Sequence, residues 1–243
     1  MNQKPGPGRR GLLLTAAAVL GSRPAWAQSP PPVKSPIGII GSGHIGGTLG
    51  RLWVKAGHPV LFSSRHPEEL KPLVDELGTL ARAGTPAEAA AFGPVLFIAV
   101  PYGAMPAIGR QFGPAMAGKV LIDAGNAVAA RDADVMPLVK EKGIGLATAS
   151  LFPGVRVVRA FNTLNYRILQ AQAHRAGAPL AIPVAGDDPG ALDAAAGLVR
   201  DAGFEPVVVG GLVRAADFAQ GAVGYGKEVD AATLRGVLGL PAQ

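Results

Sequence analysis

PIGIIGSGHIGGTLGRLWVKAG, residues 36–57, decides how the rest of the chain is read. The apolar run Ile37–Ile40 enters a glycine cluster, Gly41, Gly43 and Gly46, which opens an apolar-periodic segment carrying Ile45, Leu49, Leu52 and Trp53. That order predicts a strand, a tight turn and a helix, with Gly57 at the C-terminal cap. In a dinucleotide-binding unit the first glycine permits the turn, the second lets a pyrophosphate approach the backbone, and the third packs helix against strand. The unpaired amides at the helix start face the phosphates.

Outward from this stretch, short β-rich runs alternate with Ala/Leu-rich helical segments, the pattern of a parallel sheet covered on both faces. Strands are expected near residues 37–40, 60–63, 79–81, 95–100, 120–122, 157–161, 182–185 and 207–209. Thr85-Pro86-Ala87-Glu88 has the ingredients of a capping box with proline at the first helical position, and Asp188-Pro189 opens a second helix in a similar way. The fold class is α/β: a Rossmann-type doubly wound parallel sheet with a small C-terminal α/β extension.

Residues 1–27 read as an address. Arg9 and Arg10 precede the apolar segment Gly11–Leu20, and Ala25-Trp26-Ala27 supplies the small residues of a cleavage site. The paired arginines point to the twin-arginine route and an exported, periplasmic protein, with an ordinary secretory signal or a cytoplasmic enzyme with a basic tail as alternatives. Residues 28–35 read as an extended linker, 36–155 as a dinucleotide-binding domain, and 156–243 as an extension completing an acceptor pocket. Loss of Lys4, Arg9, Arg10 and Arg23 lowers the formal charge of +6 by four, so the basic balance is largely a leader effect. The remaining cations are spread singly, which argues against nucleic acid. No membrane span is expected once the leader is removed, and a homodimer is compatible with this reading. The chain has no cysteine, which excludes disulfides, thiolate nucleophiles and Cys-ligated metal. Its four histidines, His44, His58, His66 and His174, are scattered rather than at metal spacing. His44 is expected to cap the first helix rather than to ligate metal.

In such folds the ligand lies outside the carboxyl ends of the strands. After the second strand stands Ser63-Ser64-Arg65, where an NAD-preferring site places an acid to take the ribose hydroxyl; the guanidinium suits a 2′-phosphate, hence NADP. After the fourth, Val100-Pro101-Tyr102 are expected over the nicotinamide, with the tyrosine as an aromatic wall or as a core edge. After the fifth, Asp123-Ala124-Gly125-Asn126 places Ala124 and Asn126 near the same region, with Asp123 either at the ligand or bonding turn amides.

The segments GIIGSGHIGGTLG, SSR, LFIAVPYGAM, VLIDAGNAV, VVRAFNTLN and VAGDDPGALDAAAGLVRDAGFEPVVVGGL, in this order, resemble the family of NADP oxidoreductases dependent on the deazaflavin coenzyme F420. The resemblance implies NADP(H) lying on Gly41, Ser42, Gly43, His44, Ile45 and Gly46 and on Ser64-Arg65. It also implies a second substrate, coenzyme F420, a flavin or a similar small-molecule redox acceptor, in a pocket lined by Asn162, Thr163 and Leu164. Two positions depart from founding members: Glu69 stands where they carry a lysine, and Asn162 where they carry a histidine. Hydride transfer between rings needs alignment more than a protein acid or base, so no catalytic side chain and no metal are expected. Two competing classes share parts of the pattern: imine or hydroxyacid reductases of the pyrroline-carboxylate or phosphogluconate type, and a non-catalytic NADP-sensing module.

Overall fold

The computed structural model describes residues 1–3 and 34–242. Residues 4–27 of the expected leader and 28–33 of the expected linker lie outside the described residues. Residues 34–242 form one compact unit.

Within that unit eight strands make one sheet in the order β3-β2-β1-β4-β5-β6-β7-β8. They are β1 (Ile37–Ile40), β2 (Val60–Ser63), β3 (Ala81–Gly84), β4 (Val95–Ile98), β5 (Val120–Asp123), β6 (Arg156–Arg159), β7 (Ala181–Gly186) and β8 (Glu205–Gly210). The helices are α1 (His44–Lys55), α2 (Lys71–Leu77), α3 (Pro86–Phe92), α4 (Met105–Met116), α5 (Met136–Lys142), α6 (Ile144–Leu151), α7 (Tyr166–Gln172), α8 (Pro189–Asp201) and α9 (Ala231–Val237). β1 lies between β2 and β4, so the strand order reverses there and opens the crevice in which such sheets bind ligands. The doubly wound reading therefore holds, and the sheet runs on through β5 and β6 without a break at residue 156.

The all-parallel expectation needs one correction. β6 and β7 pair antiparallel, after which β8 returns parallel to β7. An apolar run such as Ala181–Ala185, buried on both faces, looks the same in either direction, so its sequence carries no signal of the reversal. β3 also begins later than expected. Gly78 at φ +76 and a bond from the Ala81 amide to the Gly78 carbonyl spend Thr79 and Leu80 on a turn, and pairing starts at Val60 with Ala81.

Alternation along β1 divides the core. Ile37 and Ile39 face one side with Leu49 and Trp53 of α1, while Ile40 faces the other with Ala89 and Ala90 of α3. On the first side Trp53, Phe97, Phe161 and Phe204 meet edge to face at 5.1–6.2 Å, the geometry aromatic quadrupoles favour. The Trp53 indole N–H donates to the Leu198 carbonyl at 2.9 Å, tying α1 to α8. The capping box at Thr85 forms as its sequence predicts, and Asp188 caps α8 by accepting from the Ala191 amide.

Candidate functional site

The glycines of the β1–α1 turn do three different jobs. Gly41 sits at φ +96, and a Cβ there would stand 2.6 Å from the Ala99 carbonyl oxygen and 2.7 Å from the Val100 side chain. A Cβ on Gly46 would meet the Gly41 carbonyl oxygen at 2.1 Å, so α1 can lie this close to β1 only without one. Gly43, at the N-cap of α1, is different: a Cβ there meets nothing within 4 Å. No neighbour demands glycine at residue 43. The open backbone is what a pyrophosphate lying against the helix start requires. The amides of His44, Ile45 and Gly46 belong to the first turn and have no intrahelical acceptor. Beside them the Ser42 hydroxyl is buried without a hydrogen-bond partner among the described residues.

Side chains around this turn divide into those that face outward and those that do not. Ser64 and the exposed Arg65 follow β2, next to the turn through a bond from the Ser42 amide to the Ser63 carbonyl. Arg65 joins none of the ion pairs among the described residues. Ser63, expected at the cofactor, is instead fully buried and donates to the Ile39 carbonyl at 2.7 Å, which locks β2 to β1. His44 does not cap α1. Its ring stacks on Tyr166 of α7 at 4.2 Å and 9°, and no metal-binding cluster occurs among the described residues.

Tyr102 follows the second of its two readings, a residue of the core. Its ring is fully buried rather than an aromatic wall over an open site, because its hydroxyl pairs with Thr148 at 2.9 Å. Burial, helped by the charge of Asp123, pushes this phenol up to about 12. Thr148 donates on to the Asp123 carboxylate, which is also bonded by the buried Arg159. Asp123 therefore does what its turn reading predicts and accepts from the Gly125 amide at 2.7 Å. Arg159 and Thr148 were not singled out by sequence; the signal was an arginine inside the run VVRA, in register with an aspartate on the neighbouring strand.

The loop after β5 is fixed by two further links. Asn126 donates to the Asn162 backbone carbonyl at 2.7 Å and accepts from the Asn162 amide nitrogen at 3.3 Å, and Asn162 also donates to the Phe218 carbonyl. Asp132 accepts from the amides of Gly103 and Val128 and from Arg131, joining the loops that follow β4 and β5. Arg131, then the backbone donors, hold its carboxyl well below the usual range, at about 2. The expected pocket residues Asn162, Thr163 and Leu164 are all buried, and Leu164 packs into the core with α1. Phe161, just before them, has a left-handed φ of 63°, which is uncommon for an aromatic residue.

Two hollows flank the site. A groove of about 800 Å³ runs between α1, α2 and α7, with Ser42, Gly43 and His44 at one end and Leu52 and Leu73 along it. It includes neither Arg65 nor Asn126, so it is not the crevice that the glycines and strand ends mark. A smaller cavity of about 240 Å³ has Asn126 in its wall.

A sheet that reverses order beside a glycine turn, with backbone open at Gly43 and unpaired amides behind it, defines a dinucleotide-binding domain. Residues 36–127 match the family described as NADP oxidoreductase coenzyme F420-dependent. The enzyme class expected from the motifs, an NADP-dependent oxidoreductase, agrees with that description. The rat metalloreductase STEAP3 is 30% identical over 188 residues, 76% of this chain and 36% of the relative, so the chain spans about a third of that protein's length. A hypothetical protein of Sinorhizobium meliloti has a solved structure with TM-score 0.69 at 27% identity, matched over 81% of this chain and 96% of its own. A structure described as an F420-dependent NADP reductase of Arthrobacter sp. FB24 has TM-score 0.61 at 23% identity, over 75% and 88% of the two chains. An imine reductase of Myxococcus stipitatus in complex with NADP+ shares the fold at TM-score 0.54 and 16% identity, over 74% of this chain and 57% of that one.

Two outcomes test the geometry. Gly43→Val is expected to fold normally by circular dichroism, since its side chain meets open space, yet to lose NADPH affinity by at least about tenfold in a fluorescence titration. Asp132→Ala leaves two backbone amides unpaired and is expected to cost about 1–3 kcal/mol at neutral pH in urea unfolding. Because the folded carboxyl is depressed, its contribution is complete above the ordinary carboxylate value and is lost as pH falls through the folded one. The gap between wild type and variant therefore narrows between about pH 4 and pH 2.

Proposed function

We propose that the protein is an NADPH-linked reductase that passes hydride from the nicotinamide to a ring acceptor such as a deazaflavin, a flavin or a related compound. The observation that carries the NADP preference is the exposed Arg65 just after β2, in no ion pair among the described residues, with Ser64 before it, where an acid would otherwise receive a ribose hydroxyl. When bound, NADPH supplies a hydride, and a proton from water completes the two-electron reduction of the acceptor. The residues of this chain contribute position rather than acid–base chemistry. The first turn of α1 takes the pyrophosphate, Val100 and Pro101 border the nicotinamide half, and the Asn126–Asn162 pair fixes the loop beside it. The buried Asp123–Arg159 pair holds that loop from below.

Arg65→Ala is expected to weaken NADPH by roughly ten- to a hundredfold, about 1.5–3 kcal/mol, while leaving NADH within twofold. Equal affinities for the two nucleotides in the wild type would contradict the assignment.

We further propose that the Arg9-Arg10 leader exports the folded protein by the twin-arginine route. Support comes from the sequence alone: paired arginines before a short apolar segment and an Ala-Trp-Ala site. Replacing both arginines by lysine is expected to leave the protein inside the cell on fractionation; unchanged export would rule the route out.

A further inference from the structure

The cavity of about 240 Å³ beside Asn126 is walled by Met136 and Val139 of α5, Ile144 at the start of α6, and Ala219 and Gln220 just after the 3-10 turn Leu212–Phe218. None of these residues was expected at the site, and they stand in place of the pocket expected at Asn162–Leu164, where the chain is closed by packing.

Three properties of the wall define what it accepts. The volume lies below the roughly 300–1,000 Å³ of drug-sized ligand pockets, so it admits one ring system and no dinucleotide. No side chain lining it is charged, and a charged ligand would lose its hydration there with no counter-charge in return. The polar groups left are carboxamides. Asn126 spends one hydrogen of its amide nitrogen on the Asn162 carbonyl and keeps the other, and Gln220 enters no hydrogen bond among the described residues. Both offer N–H donors, which suit carbonyl oxygens on the ligand. Because Asn126 also borders the place proposed for the nicotinamide, a ring here lies next to the hydride donor, as transfer between two rings requires.

We propose that this cavity is the acceptor site and that it takes an uncharged, planar, carbonyl-bearing ring of the quinone class. The inference rests on the reductase reading and narrows its acceptor. The test is direct binding of menadione, an uncharged quinone, measured by calorimetry on the protein without nucleotide, with NADPH affinity measured in parallel. Menadione is expected to bind the wild type, and Ala219→Trp is expected to raise its Kd at least about tenfold while NADPH affinity stays within twofold. Gln220→Trp, at an exposed position that does not endanger folding, is expected to act in the same direction. Ferric citrate, an anionic complex, is expected not to compete. Absence of menadione binding, a Kd unchanged in both variants, or displacement by ferric citrate would each overturn the site or its chemistry. With both present, loss of the reduced nicotinamide absorbance is also followed: menadione that binds normally while NADPH is not oxidised would overturn the reductase reading and the acceptor role, leaving only a quinone-binding cavity.

Discussion

The approach of α1 to β1, backbone against backbone, is the constraint on which the rest of the structure depends. With a carbonyl oxygen 2.1 Å from where a Cβ of residue 46 would lie, no side chain fits between turn and helix, and the helix start is carried onto the end of the strand. The consequence is electrostatic as much as steric. The first-turn amides and the positive end of α1 converge just beyond β1, where the sheet reverses order and neighbouring loops splay apart. Trp53, nine residues along the same helix, secures the other end against α8 and the aromatic cluster.

The second determinant is a charge kept out of water. Asp123 and Arg159 are both fully buried, and two nitrogens of the guanidinium have no partner among the described residues. Such a pair is weak evidence for net stability, because desolvation of both ions offsets their attraction, while removal of one partner typically costs about 3–5 kcal/mol. Its visible effect is positional. Asp123 pins the Gly125 amide with one oxygen and takes Thr148 and Arg159 on the other, and that fixes how Asn126 leaves the sheet. Asp132 then joins this loop to the one after β4. The walls of the proposed nicotinamide region are thus set by ionic and amide contacts beneath them rather than by residues that touch a ligand.

Elements governed by local rules were legible in the sequence: the glycine turn, the Thr85 capping box and the Asp188 cap all depend on neighbours within a few positions. Features decided by tertiary partners were not. Nothing local distinguishes Ser63, turned inward to the Ile39 carbonyl, from Ser64, which stays at the surface. Tyr102 and Leu164 follow strands as ligand-facing residues would, yet Thr148 captures the phenol and α1 buries the leucine. The antiparallel turn-back at β7 follows an apolar run that carries no sign of direction, and the partnership of Arg159 with Asp123 depends on the register of two strands far apart in the sequence. The cavity at Asn126 was hidden for the same reason: α5, α6 and the turn at Leu212–Phe218 meet there only in three dimensions.

A structure of the protein crystallised with NADP+ tests the central claim most directly. The account predicts the pyrophosphate on the amides of the α1 first turn against Gly43, the 2′-phosphate on Arg65, and the nicotinamide between Pro101 and Asn126. A nucleotide seated in the groove between α1, α2 and α7, with Arg65 untouched, would contradict it.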